Sequence, residues 1–186
     1  MIYLMRHGQD DETYVGGWSD VSLIPEGREE VIGSALWIKD NLDIKKIMCS
    51  DVKRAVESAQ ITSDILDIPY QLNTNLREQN KGLLNGIPKE DAYNNYPGFS
   101  DGEVTIDTVF PEGESLRNLY DRMKKYIEEI IKMQDDTLLI THRGVINMIY
   151  FLLNHQELDM NKKQFNVDTA SIHELDQKKK TIRKIR

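Results

Sequence analysis

Short apolar runs alternate with longer amphipathic stretches along this chain, and the alternation predicts strands and helices taking turns. Residues 1–5 form the first apolar run, and Lys46–Cys49, Tyr70–Leu72 and Thr137–Thr141 are later runs of strand length. Between them, Val31, Ala35, Ile38 and Leu42 recur at helical spacing after Pro25, which suits a first helical position. Ala55, Ala59, Thr62 and Leu66 mark a second helix. Leu119, Met123, Ile127 and Ile130 mark a third, capped by Ser115, and Val145, Ile149 and Leu152 mark a fourth. Residues 84–114 hold four glycines and three prolines and read as an irregular excursion with one short helix over 89–96. Two alternating segments, 171–175 and 181–185, flank a polar turn and predict a closing antiparallel hairpin whose lysines guard an exposed edge. The predicted fold class is α/β: a single domain over 1–186, with a mostly parallel central sheet and helices on both faces.

Composition narrows the function. A chain of 186 residues that is 39% hydrophobic and 30% charged has the make-up of an ordinary globular protein. Its formal charge of −7 argues against nucleic-acid binding, which needs a basic face to neutralise phosphates. One cysteine, Cys49, allows no internal disulfide and reads as a buried strand residue in a reducing compartment. No run reaches the ~18 apolar residues of a membrane span, and no secretory signal opens the chain, so a cytoplasmic location is expected. Nothing in the pattern sets the oligomeric state.

Charged chemistry gathers where the strands stop. The first run ends in Arg6-His7-Gly8 and the last parallel one in His142-Arg143-Gly144. In α/β sheets, ligands bind outside the carboxyl ends of the strands, so two such endings meeting over one pocket is a specific expectation. Arginine offers a planar fork matched to phosphoryl or carboxylate oxygens, and histidine offers a nucleophile or proton carrier near neutrality. Arg54 lies in the first turn of the second helix, where a cation beside free N–H groups completes an anion site. No third histidine, cysteine or suitably spaced carboxylate joins His7 and His142, so no metal and no cofactor are expected. Arg77 reads as a salt-bridging residue, and His155 and His173 as bystanders.

In order along the chain stand Arg6-His7-Gly8-Gln9, Gly17-Trp18-Ser19-Asp20, Ser50 to Ala55, Leu76-Arg77-Glu78, Gly113-Glu114-Ser115 and Thr141-His142. Together they resemble the histidine phosphatase superfamily in its phosphoglycerate-mutase-like branch, over residues 2 to about 175. The resemblance implies metal-independent phosphoryl transfer through a phosphohistidine on His7. Arg6 and Arg54 would hold the phosphoryl oxygens, and His142 would hydrogen-bond to them. Glu78 would be the general acid toward the leaving alcohol and then the base toward water.

The implied activity is that of a histidine acid-type phosphatase, a phosphomonoesterase acting on a small phosphorylated metabolite. The alternatives are a cofactor-dependent phosphoglycerate mutase and a non-catalytic phospho-ligand sensor. Against the mutase, the chain is short, and residues 84–114 lack the adjacent arginines that such mutases use. Gln9, Thr13 and Arg143 are candidates for the substrate rim. The chain also departs from the family: Asp10 replaces a usual threonine, and Arg143 a usual glycine. One rim therefore gains negative charge and the other a cation.

Overall fold

Six strands form one sheet: β1 (Ile2–Arg6), β2 (Lys46–Cys49), β3 (Tyr70–Leu72), β4 (Thr137–Thr141), β5 (Ile172–Asp176) and β6 (Thr181–Lys184). Their spatial order is β3-β2-β4-β1-β5-β6. The computed structural model describes residues 1–100, 102–161 and 164–186. Strands β3, β2, β4 and β1 run parallel, and β5 and β6 add to the edge as an antiparallel hairpin in which Leu175 faces Ile182. Strands β1 and β4 are buried at every position, as strands covered on both faces must be.

Alternation along β1 and β4 assigns the two faces. Ile2, Leu4 and Leu139 belong to one core with α4 (Leu116–Ile130) and α5 (Arg143–Leu153). Tyr3, Met5, Leu138 and Ile140 belong to the other, with Val31 and Ile38 of α1 (Pro25–Asn41) and Ala59 of α2 (Lys53–Leu66). Helix α4 starts in a capping box: the Ser115 hydroxyl accepts from the Asn118 N–H, and the Asn118 side chain accepts from the Ser115 N–H. Among the described residues, no helix is long and apolar enough to cross a membrane.

The excursion carries the short helix α3 (Lys89–Asn95) and a small core of its own. Val15, Leu84, Ala92 and Phe110 form that cluster, apart from the two main ones. The Val15 N–H donates to the Ile87 carbonyl at 2.9 Å, and the Gly86 N–H donates to the Val15 carbonyl at 2.9 Å, which ties the excursion to the loop after β1. Two 3-10 turns, Thr74–Leu76 and Gly82–Leu84, flank Glu78, where the sequence pattern shows only polar loop.

The loop leaving β1 passes against the first turns of α1 with no space for side chains. A Cβ on Gly8 would stand 2.2 Å from the Gly27 carbonyl oxygen, and a Cβ on Gly27 would stand 2.0 Å from the Gln9 carbonyl oxygen. Both obstacles are backbone, so Gly27→Ala must push the His7 loop off α1. We expect it to lose about 1–3 kcal/mol of stability in urea unfolding, with reduced turnover. Gly33→Ala in the same helix meets nothing closer than the flexible Arg186 Nη2 at 3.4 Å, and should gain roughly 0.5–1 kcal/mol. Destabilisation of similar size at both glycines would contradict this close approach.

Candidate active site

Strand pairing builds the site. Arg6 is the register partner of Thr141, and the His7 N–H donates to the Thr141 carbonyl at 2.9 Å. His7 and His142, 135 positions apart, therefore leave adjacent strand ends side by side, with ring centroids 5.1 Å apart. From β2 on the other side of β4, the Ser50 N–H donates to the Ile140 carbonyl, and the Ser50 hydroxyl stands 2.8 Å from His142 Nε2. Arg54, in the first turn of α2, then reaches back over both rings.

The hydrogen bonds leave His7 one usable face. His7 Nδ1 lies 2.7 Å from its neighbour's carbonyl oxygen, Gly8 O, which can only accept, so Nδ1 carries the proton and Nε2 keeps its lone pair. Arg54 Nε donates to that Nε2 at 3.1 Å. The other Arg54 nitrogens reach the Gly17 carbonyl, the Ser19 hydroxyl and His142 Nδ1, while Asp10 stands 3.5 Å from Nε. Arg6 Nη1 donates to the Val167 carbonyl at 3.1 Å, and its buried Nε has no acceptor.

Electrostatics favour a neutral imidazole at His7. Burial first, then the Arg54 and Arg6 charges, hold His7 well below the ordinary imidazole value. Burial likewise holds His142 down, helped by Arg54 and His7. Burial lowers Arg6 to about 10, with Arg143 adding to the effect, so the guanidinium stays charged at neutral pH.

Glu78 follows the 3-10 turn Thr74–Leu76, which the Thr141 hydroxyl anchors by donating to the Leu76 carbonyl at 2.7 Å. Its Oε2 accepts the Gly144 N–H at 3.0 Å, at the start of α5. Gly144 has to be small, because a Cβ there would lie 2.0 Å from Glu78 Oε1. Trp18 Nε1 and Arg122 Nη2 both donate to the Glu78 carbonyl.

Arg6, His7, Arg54, Glu78 and Arg143 thus line one cavity of about 270 Å³, and His142, which does not line it, is buried against His7 and Arg54. Gln9 and Thr13 do not line it: the Gln9 N–H donates to Glu30, and the Thr13 hydroxyl donates to Asp11. Asp10 takes the wall position between them. Arg77 pairs with Asp51, and Arg77 stacks on Trp18 at 4.4 Å.

His173 is no bystander in the geometry. It lies between the Tyr150 hydroxyl at 2.9 Å and the Ser171 hydroxyl at 3.0 Å. Ser171 in turn accepts the Arg6 N–H through its carbonyl, so this network braces the segment that holds Arg6. No local sequence signal marks such a brace.

The fold is of the α/β class, and its parallel strand ends present two neutral imidazoles between arginines. The family model for the histidine phosphatase superfamily (branch 1) matches residues 2–186, and the chain belongs to that family. Human 6-phosphofructo-2-kinase/fructose-2,6-bisphosphatase 4 is 31% identical over 160 residues, which is 81% of this chain but 32% of that protein. The chain thus spans about a third of that relative. Arabidopsis thaliana phosphoglycerate mutase-like protein 4 is 30% identical, over 80% of this chain and 69% of its own. Among solved structures, a putative alpha-ribazole-5'-P phosphatase from Escherichia coli superposes with a TM-score of 0.79 at 20% identity, covering 98% of this chain and 93% of the other. A mycobacterial glucosyl-3-phosphoglycerate phosphatase gives 0.76 at 20% identity, over 92% and 87%.

Three histidines are buried in the neutral form, and His173 is lowered to about 4, chiefly by burial. Below about pH 6.5 the unfolded chain binds protons at these positions and the folded chain does not, so stability rises with pH through that window. It should be complete above about 6.5 and fall as the pH drops. At pH 5 the His173 contribution alone is on the order of 2 kcal/mol. Urea midpoints measured from pH 8 to 4.5 should decline, with a shallower slope in His173→Gln. A flat profile would contradict the burial of neutral rings.

Proposed function

We propose that this protein is a phosphomonoesterase that hydrolyses small phosphate esters through a phosphohistidine on His7, without a metal. The observation that carries the reading is the hydrogen bond from His7 Nδ1 to the Gly8 carbonyl, which leaves Nε2 unprotonated and facing Arg54. A buried, neutral imidazole with one lone pair directed into a cavity is a competent nucleophile. Among the described residues, no group of three or more His, Cys, Asp and Glu side chains is arranged to hold a metal ion. The cavity volume lies near the lower end of small-molecule sites, which suits a small ester.

In the first step the Nε2 lone pair attacks phosphorus in line, forming the N–P bond as the P–O bond to the alcohol breaks. Incoming phosphoryl oxygens replace the acceptors that Arg54 now holds, and take the unpartnered Arg6 Nε. Fixed guanidinium groups in a buried pocket offset the charge on those oxygens as the group transfers. Glu78 protonates the departing alkoxide. In the second step Glu78 takes a proton from water as its oxygen attacks phosphorus, and His7 leaves with its lone pair restored and inorganic phosphate released.

A second reading, a bisphosphoglycerate-dependent mutase, is favoured by the overlap with the Bifidobacterium longum enzyme of that name, 27% identical over 98% of this chain and 89% of its own. It would use the same His7. Supplied with 3-phosphoglycerate and bisphosphoglycerate, the protein should release phosphate faster than it isomerises substrate, and acid-labile phosphate should appear on His7 in quenched reactions. His7→Ala should abolish both. Isomerisation outpacing release would establish the mutase, and labelling confined to another residue would remove His7 as nucleophile.

The role of Glu78 is tested by the leaving group. An alkyl phosphate departs as a strongly basic alkoxide, so Glu78→Gln should slow its single-turnover transfer by roughly 10²–10⁴-fold. A p-nitrophenyl ester departs as a stabilised phenolate and should lose far less in the same step. Equal losses for the two esters would mean that Glu78 positions the phosphoryl group and donates no proton.

A further inference from the structure

Arg143 is the first residue of α5, directly after His142, and its half-buried side chain forms cavity wall beside Arg6 and His7. The position is electrostatically unfavourable for a cation. The free N–H groups of a helix start carry partial positive charge, so an arginine in the first turn meets a field of its own sign. Arg6 is a second like charge nearby, and Arg143 contributes to lowering both Arg6 and His7.

The Glu78 carboxylate answers the helix start by accepting the Gly144 N–H at 3.0 Å, but it makes no ion pair with the Arg143 guanidinium. Among the described residues, no hydrogen bond or ion pair holds the Arg143 guanidinium, whereas Arg54, Arg122 and Arg77 each stand against a carboxylate. Arg54 has Asp10, Arg122 has Glu114 at 3.3 Å, and Arg77 has Asp51. Asp168, which feels the Arg143 charge, is taken by Lys184 Nζ at 2.6 Å. Asp159, also in the wall, accepts the Asn161 N–H. Lys89 lines the outer cavity as well, but a lysine head there is readily hydrated, and it lies at the start of α3. A partly buried guanidinium fork with no acceptor is matched to an oxyanion. Arg6 and Arg54 already supply donors to the phosphoryl group that His7 attacks.

We propose that Arg143 binds a second anionic group, a carboxylate or a second phosphate, carried by the leaving alcohol of the substrate. The preferred esters are then those of acidic or already phosphorylated alcohols, and Arg143 is the residue that selects them. The inference rests on the phosphoryl-transfer reading for the identity of the first anion.

The test uses calorimetric titration with three non-hydrolysable probes of equal chain length: propylphosphonate, 3-phosphonopropionate and propane-1,3-bisphosphonate. The wild-type protein should bind one or both of the doubly anionic probes about ten- to a hundredfold more tightly than propylphosphonate, the range of a charged hydrogen-bonded pair. Whichever is favoured identifies the second anion. In Arg143→Gln that preference should shrink to within about threefold, Arg143→Lys should keep part of it, and Lys89→Gln should keep it. The proposal is overturned by no preference in the wild type, by equal weakening of all three probes in Arg143→Gln, or by a loss that follows Lys89→Gln instead. Phosphate on His7 reports separately on the transfer chemistry. His7 labelling without a second-anion preference removes only this inference, and a preference without labelling removes only the phosphohistidine.

Discussion

Two imidazoles stand buried with their centroids 5.1 Å apart between two guanidinium groups, and the site depends on both rings staying neutral. Charging either one would place a third positive charge in a buried space, where repulsion is strong and solvation weak. The arrangement is therefore selective about what may enter. It repels a proton on His7, keeps the Nε2 lone pair, and leaves donors directed at a group rich in negative oxygen. The same forces that make the rings costly to protonate make them useful to a phosphoryl group.

Much of the fold serves to hold that cluster still. Pairing of β1 with β4 sets the separation of the rings, and β2 supplies Ser50 to orient His142. Close passage of the Gly8 loop over Gly27 fixes the exit from β1. The segment from Val167 to Ser171 holds Arg6 from the other side, and His173 with Tyr150 stiffens it. Glu78 is held by backbone donors from α5 and by its own turn, so Glu78 and His7 sit on elements that share β4 as a common support.

Family membership accounts for the shared frame, while the chain's own departures lie in the wall. Asp10 places a carboxylate against Arg54, and Arg143 places a guanidinium in the wall beside Arg6. These charges leave the strand-end cluster in place and alter what stands next to it. Discrimination between phosphate esters of similar size is set by such neighbours, because the phosphoryl group itself is common to all of them.

The elements were legible in the sequence because strand length and helical stripes are local properties of the chain, and the boundaries of β2, β3 and β4 follow the apolar runs directly. Arg6, His7, Arg54, Glu78 and His142 stood out as candidates because each is an ionisable residue at the end of an element, next to a glycine or within a recognisable motif. The loop positions were not legible. Gln9, Asp10 and Thr13 are polar residues of one short stretch without period, and only the path of the backbone turns Asp10 into the cavity and the other two away. Backbone carbonyls such as those of Gly17 and Val167, and hydroxyls such as Ser19 and Ser50, carry no signature at all. By itself, the sequence determined which strand ends bear the chemistry. Tertiary structure alone decided that β1 lies beside β4 in the register that joins Arg6 to Thr141, since strand order depends on burying both faces of the sheet at once and no local stretch contains that information.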